Sequence, residues 1–241
     1  AALTDSRAAL DLCNKLPGVP RTERIAILTQ HALALHFVGS LAEALTTYRS
    51  ALETLGSAED NRGLRAEICA NIGAVERALG RLDDATKSYE QAVEAARLSA
   101  SPNLAAILAR RGRLELKERA QPDRAAETFR EAVDLIETAR EDTMSVDEFD
   151  RGAYMGALNR YQAHDGIAWA LADQRQMTEA IRYLERGRSR ALLDLLERSR
   201  FDPLAEVERR AQERNDDRMR VAITALRKDL AEAAAENKKK T

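Results

Sequence analysis

A spaced pattern that occurs four times constrains the fold of this chain more than any other feature. In each copy a small residue is followed four positions later by an aromatic or bulky residue, and three positions after that by a second small residue. The four copies are Ala44, Tyr48, Ala51; Ala85, Tyr89, Ala92; Ala125, Phe129, Ala132; and Ala180, Leu184, Gly187. Offsets of four and seven lie on one face of an α-helix, and alternating small and large residues let a neighbouring helix approach closely. The pattern therefore predicts repeated helices that pack through these residues.

A second helix is expected before each copy, because apolar stripes with helical spacing lie there. The stripes are Leu28, Ala32, Leu35; Cys69, Ile72, Gly73; Leu108, Gly112; and Tyr154, Leu158, Tyr161, Ala168, Leu171. Gly39 and Gly80 each lie five residues before a repeat alanine, where a helix C-terminus favours positive φ. Ala120 and Arg175 occupy this offset in the third and fourth copies. The sequence thus predicts helix pairs, each joined by a short turn.

The spacing of the copies predicts the domain organisation. The repeat alanines are separated by 41, 40 and 55 residues, so the last interval should hold an extra segment, which we place at Glu141–Asp150 with Thr143, Ser145 and Asp147 as candidate caps. A weaker copy, Ala8, Leu12, Lys15, opens the chain. We expect a truncated first repeat that keeps only its second helix, helix B, at 1–20, an array of about four helix pairs at 21–200, and a charged helical linker at 201–241.

Composition agrees with an all-α fold. Ala (44) and Leu (30) far outnumber Val plus Ile (17) and the aromatics (10), which favours helices over pleated sheets. No apolar run is long enough to span a membrane, and no signal-peptide pattern opens the chain, so we expect a cytoplasmic protein without membrane contact. Because the sequence begins without Met and ends in a lysine run, we expect an excerpt of a longer protein.

These residues resemble the tetratricopeptide repeat (TPR) family, in which helix A carries a bulky residue, a small residue and Tyr, and helix B carries Ala, an aromatic residue and Ala. Glu76 departs from the usual helix A Tyr. The resemblance implies an all-α, right-handed superhelix of antiparallel helix pairs, here with a long C-terminal helix. It also implies a groove, lined by helix A residues, that binds a protein or peptide partner.

A narrower resemblance concerns residues 180–196. This stretch is similar to the last repeat of bacterial proteins in which such repeats precede a caspase-like CHAT protease domain. No part of the chain resembles the protease itself. The resemblance implies a non-catalytic sensor or scaffold arm, with a C-terminal catalytic domain as a further partner. The alternative is the region of a transcriptional regulator that binds a signal peptide or small signal.

The family resemblance projects a partner-binding groove onto the helix A residues. The projected residues are Thr29, Leu33, His36, Phe37, Arg77, Arg110, Arg113, Gln162, Asp165 and Trp169. Tryptophan and arginine often contribute most of the binding energy in protein interfaces. An alternative for Trp169 is packing between helices A and B of its own unit.

Residues that could support catalysis or metal binding do not form a recognisable set. His31 and His36 are five residues apart, which differs from the i, i+4 spacing of a helical zinc pair. Cys13 and Cys69 lack a nucleophile signature and are expected to be packing residues. No glycine-rich phosphate loop follows a strand. We therefore expect no enzyme activity, no cofactor and no metal.

Charge is distributed unevenly along the chain. The first 180 residues hold 22 basic and 28 acidic residues, and the remainder holds 16 and 12. The basic residues of the second part are interleaved with acids and lack stacking aromatics, so nucleic acid is not an expected partner. A last helix should begin at Pro203, capped by Asp202. Its later apolar stripe, predicted to face a partner, comprises Met219, Ile223, Leu226, Leu230 and Ala233.

Overall fold

The computed structural model describes residues 2–56, 61–143, 159–199, 207–209, 212 and 217–238, and every regular element among them is helical. The chain divides into two compact units, residues 1–188 and 189–241. None of the described helices combines the length and the apolar character needed to cross a bilayer.

Ten helices whose bounds the structure describes follow one another along the chain, and residues 207–209 and 212 are also helical. They are α1 (Ala2–Lys15), α2 (Arg21–Phe37), α3 (Leu41–Leu55), α4 (Arg62–Ala78), α5 (Leu82–Leu98), α6 (Leu104–Arg113), α7 (Pro122–Thr143), α8 (Asn159–Asp173), α9 (Met177–Ser199) and α10 (Asp217–Lys238). A π-helical turn, Leu114–Glu118, continues α6.

The first unit is an all-α repeat superhelix of helix pairs. Helices α2, α4, α6 and α8 are the A helices, and α3, α5, α7 and α9 are the B helices. α2 packs against α3, α4 against α5 and α6 against α7, and each of these pairs packs against the following A helix. A helices also contact each other directly, α2 with α4, α4 with α6 and α6 with α8. The A helices therefore form one continuous layer, the layer that lines the inner surface of a helical repeat array.

The repeated small and aromatic residues lie where B helices meet A helices. The buried residues of this set are Ala44, Tyr48, Ala51, Ala85, Tyr89, Ala92, Ala125, Phe129, Ala132, Ala180 and Gly187, and Leu184 is half-buried against the same core. Two of the three rings pack against a glycine: a Cβ on Gly73 would lie 3.2 Å from the Tyr89 ring, and one on Gly112 would lie 3.0 Å from the Phe129 ring. Phe129 also contacts Gly166 on α8. One ring thus holds two successive A helices close together.

The turns between A and B helices share one backbone conformation. Gly39 and Gly80 have φ of 85° and 74°, and Ala120 and Arg175 have φ of 51° and 63°. This confirms the positive φ predicted at the two glycines. At the other two offsets the same left-handed conformation is adopted by residues with a Cβ, at an energetic cost that glycine avoids.

The third A helix contains one more residue than the second between its packing glycine and the turn. Gly73 precedes Gly80 by seven residues, whereas Gly112 precedes Ala120 by eight. The π-helical turn accommodates this insertion, and the Gln121 backbone N–H reaches back to the Glu115 carbonyl at 2.8 Å. Such turns are common near functional sites.

Buried carboxylates form part of the interior of two successive repeats. Glu76 is 2 % exposed and accepts a 2.7 Å hydrogen bond from Ser88 Oγ on α5. Arg49 Nη2 on α3 lies 3.1 Å from its second oxygen. In the third pair Glu115 accepts from Thr128 Oγ1 at 2.7 Å and from Arg111 Nε at 2.8 Å. The departure from Tyr at Glu76 is thus a polar bridge between helices A and B.

Two regions beyond the array proper are described in part. α7 extends through Thr143, so residues 141–143 belong to that helix, while Ser145 and Asp147 lie outside the described residues. Asp202 and Pro203 also lie outside them. On α10, Ile223 is buried while Met219, Val221 and Leu226 are exposed. The Leu230 and Ala233 side chains are not described.

Candidate protein-interaction surface

The predicted groove residues differ in their accessibility. Leu33, His36, Arg77 and Arg110 are half-buried, and Phe37, Arg113, Gln162, Asp165 and Trp169 are exposed. Thr29 differs from the rest, because it is only 6 % exposed and its hydroxyl has no hydrogen-bond partner. It therefore lies beneath the surface rather than on it.

Three consecutive A helices bring basic side chains together. Burial lowers the pKa of His36 on α2, and the nearby positive charges of Arg110 on α6 and Arg77 on α4 lower this pKa further. Arg113 immediately precedes the π-helical turn, and its side chain is exposed. We call the set His36, Arg77, Arg110 and Arg113 the arginine surface.

Two buried tyrosines of the B helices extend their hydroxyl groups toward the arginine surface. Burial raises the pKa of Tyr89, while the nearby positive charges of Arg77, Arg110 and Arg113 act in the opposite direction. Burial raises the pKa of Tyr48 to about 12, with Arg110 opposing this effect and Glu67 adding to it. The Tyr48 hydroxyl has no hydrogen-bond partner. Sequence reasoning assigned both rings to packing alone; the presence of Tyr rather than Phe was the signal for these buried hydroxyl groups.

The charges of the arginine surface are only partly balanced within the protein. Arg77 Nη1 lies 2.6 Å from Glu118 Oε1, a residue of the π-helical turn. Arg110 Nη1 donates instead to a neutral group, Asn71 Oδ1, at 3.1 Å. Glu67 on α4 places a negative charge near Tyr48, where it raises the pKa of that hydroxyl group. Arg110 and Arg113 therefore add positive charge to a layer within an array that is acidic overall.

Exposed aromatic groups flank the arginine surface. Phe37 is 83 % exposed and follows His36, with which it stacks at 6.3 Å between ring centroids. Trp169 on α8 is 65 % exposed, so the alternative in which it fills the space between helices A and B is wrong. Trp169 precedes its turn residue, Arg175, by six positions. Arg113 precedes its turn residue, Ala120, by seven positions, one of which is the π-helical insertion. The two residues therefore occupy equivalent positions in α8 and α6. Gln162 and Asp165 are exposed on the same helix.

A separate polar cluster lies under the fourth pair. His164 Nε2 and Arg186 Nη2 each lie 3.4 Å from an oxygen of Glu137, whose side chain is 10 % exposed. It bridges α7, α8 and α9. Across the part of the chain that the structure describes, no three His, Cys, Asp or Glu side chains are arranged to hold a metal ion.

Comparison with known proteins agrees with this repeat geometry. Residues 65–138, the span of α4 to α7, match the family model for the tetratricopeptide repeat. This segment has the sequence of TPR repeats. No curated protein matches the chain.

Solved structures with the same arrangement of helices are distant in sequence. BtubC (BKLC) from P. vanneervenii is 18% identical with a TM-score of 0.61, and the alignment covers 78% of this chain and 72% of that one. The TPR-like repeats of a Podosopora anserina protein described as a kinesin light chain are 16% identical, with a TM-score of 0.56 and coverage of 78% and 84%. MamA is 12% identical, with a TM-score of 0.53 and coverage of 80% and 88%. At such identities the likeness shows the fold alone.

TPR repeats are characteristic of protein-interaction scaffolds, so the matched segment indicates a role as a protein-interaction scaffold. Which surface binds, and what it binds, depends on the geometry described above.

Proposed function

We propose that this chain is a non-catalytic scaffold that binds an extended segment or helix of a protein partner along the arginine surface. The observation that carries the proposal is the convergence of His36, Arg77 and Arg110 from three successive A helices. A surface built from several repeats suits an elongated ligand, because each repeat contributes one or two contacts along its length.

Exposed aromatic groups support the proposal. Phe37 at one end and Trp169 on α8 are large, mostly exposed rings on the same helical layer. Aromatic and arginine side chains are enriched among the residues that dominate binding energy in protein interfaces. A partner that covers both kinds of residue would gain apolar burial as well as charge complementarity.

Selection from a displayed library of random twelve-residue peptides tests the proposal. Arg113→Glu should weaken binding of the selected peptides by about tenfold or more, since it reverses an exposed charge within the surface. Arg124→Glu is the matched control, because Arg124 is an exposed arginine of the B helix α7. Equal loss in both variants, or no selected peptide at all, would contradict the proposal.

A finer assignment within this proposal is that the scaffold is the sensor or scaffold arm of a CHAT-type cysteine protease of a bacterial cytoplasm. Its support is the resemblance of residues 180–196 to the last repeat of such proteins. The reading frame after Thr241 tests it: a strand-rich segment with a His-Gly pair and a nucleophilic Cys would support the assignment. A helix-turn-helix elsewhere in the frame would favour the alternative, a receptor region of a transcriptional regulator.

A further inference from the structure

Helix α10 exposes apolar side chains along one side. Met219 and Leu226 are 45 % and 46 % exposed, and Ala222 between them is exposed as well. Residues at offsets of three, four and seven share one side of a helix, and Leu230 and Ala233 continue the same spacing in the sequence. We call these five residues the α10 stripe. Its described part remains accessible in the presence of the whole chain.

The unit that contains α10 is small. It spans only residues 189–241, and chains of fewer than about 70 residues rarely form a sufficient apolar core without a disulfide, a metal or oligomerisation. The unit contains no cysteine. Ile223 is buried, and Arg227 Nη2 lies 2.9 Å from Glu208 Oε2, so one side of α10 already packs within the chain. The α10 stripe is the adjacent side, and covering it would enlarge this core.

The charges of α10 are segregated along its length. Residues 217–228 include four basic and one acidic residue, and residues 229–237 include three acidic and no basic residues. A parallel pair of such helices would place like charges side by side. An antiparallel pair instead places the positive half of each helix beside the negative half of the other. A second copy of α10 therefore complements the charge of α10 along its whole length.

An antiparallel pair also matches the stripe in size. α10 has 22 residues, so it is about 33 Å long. When two copies overlap fully, Ala222 of one lies level with Ala233 of the other, and Leu226 lies within one residue of the level of Leu230. Small residues at the two ends of the contact let the helices approach closely, and the leucines meet at its centre.

We propose that α10 binds α10 of a second copy of this chain, antiparallel and across the α10 stripe, so that the chain forms a homodimer. Arg218 of each copy lies within one residue of the level of Glu236 of the other, and this pairing occurs twice because the contact is two-fold symmetric. The inference is independent of the arginine surface, which lies on other helices.

Sedimentation equilibrium of the full chain tests the dimer. The dissociation constant should be about 1–100 µM, because about three heptads bury a small apolar area. Leu226→Glu should weaken association by about tenfold or more, since it places a charge from each copy inside the contact. Val221→Glu is the matched control, because Val221 is 70 % exposed and lies outside the stripe. It should change the dissociation constant by less than about twofold.

Charge reversal tests the orientation of the two helices. Arg218→Glu should weaken association by about threefold or more, because the new carboxylate lies near Glu236 of the other copy. Adding Glu236→Lys to the same chain should restore association. The two positions are about 27 Å apart along one helix, so this rescue cannot arise within a single chain.

A chain that stays monomeric at about 500 µM would overturn the inference. A dimer that Leu226→Glu and Val221→Glu weaken equally, or that neither weakens, would also overturn it, because the contact would then lie away from the α10 stripe. Failure of Glu236→Lys to rescue Arg218→Glu would overturn the antiparallel pairing.

Discussion

Ser88 Oγ lies 2.7 Å from Glu76 Oε2, and this hydrogen bond ties a B helix to the A helix of the same repeat. The carboxylate is almost fully buried, and Arg49 of the preceding B helix forms an ion pair with its other oxygen. One acidic side chain thus connects three helices, and Glu115 has a corresponding hydroxyl partner in the next repeat.

We expect Ser88→Ala to destabilise the array by about 1–3 kcal/mol, since it removes a donor from a buried carboxylate. Thr46→Ala serves as control, because Thr46 is exposed and its hydroxyl bonds only to the Ala42 carbonyl of its own helix. It should change stability by less than about 0.5 kcal/mol. Urea unfolding followed by circular dichroism measures both. Equal midpoints for the two variants would show that the buried bond contributes little.

A methyl group at Gly166 should be poorly tolerated. Its Cβ would overlap the Phe129 ring, so either the ring or α8 must move, at a cost of about 1–3 kcal/mol. Gly63→Ala on α4 is the control, because its Cβ would meet only the Ser99 hydroxyl at 3.8 Å. Thermal unfolding should show a lower midpoint for Gly166→Ala alone. A similar midpoint in both variants would contradict the close packing of α8 on Phe129.

Arg175→Gly should stabilise the fourth repeat. Arg175 adopts φ of 63°, and a left-handed residue with a Cβ costs about 1 kcal/mol relative to glycine. Gly80→Ala makes the opposite exchange at the equivalent turn, where φ is 74°, and should destabilise by a similar amount. Urea midpoints that move in the same direction for both variants would refute the shared turn conformation.

His36 should make stability depend on pH. Its pKa in the folded protein lies below the usual 6.5 because of burial and the charges of Arg110 and Arg77. The unfolded chain therefore binds the proton more readily, so the stabilising effect of neutral His36 is present above pH 6.5 and decreases as the pH falls below it. His36→Asn should lose less stability than the wild type between pH 7.5 and 5.5. Parallel losses in the two proteins would contradict the lowered pKa.

The extent to which sequence predicted this fold depends on the kind of interaction. The spacing of Ala85, Tyr89 and Ala92 predicted helix packing because apolar burial follows helical periodicity directly. The π-helical turn was not predicted, since one inserted residue between Gly112 and Ala120 becomes visible only when two repeats are aligned at both ends. The Glu76 bridge was missed because its hydrogen-bond partners, Ser88 and Arg49, lie on other helices.

The candidate surface was predicted less completely than the fold. Projection onto the A helices placed His36, Arg77 and Arg110 on one surface, and the structure brings these three together. Thr29 was included because helical position alone does not report how deeply a side chain is covered by a neighbouring repeat. The hydroxyl groups of Tyr48 and Tyr89 were omitted because their rings explained the packing pattern by themselves.

Chemical-shift mapping of the ¹⁵N-labelled chain with a library-selected peptide tests the central claim most directly. We predict that perturbed amides concentrate on α2, α4 and α6, around His36, Arg77, Arg110 and Arg113, and that Arg113→Glu abolishes most of these perturbations. Perturbations confined to the B helices α3, α5 and α7, and unchanged by Arg113→Glu, would contradict binding at the arginine surface.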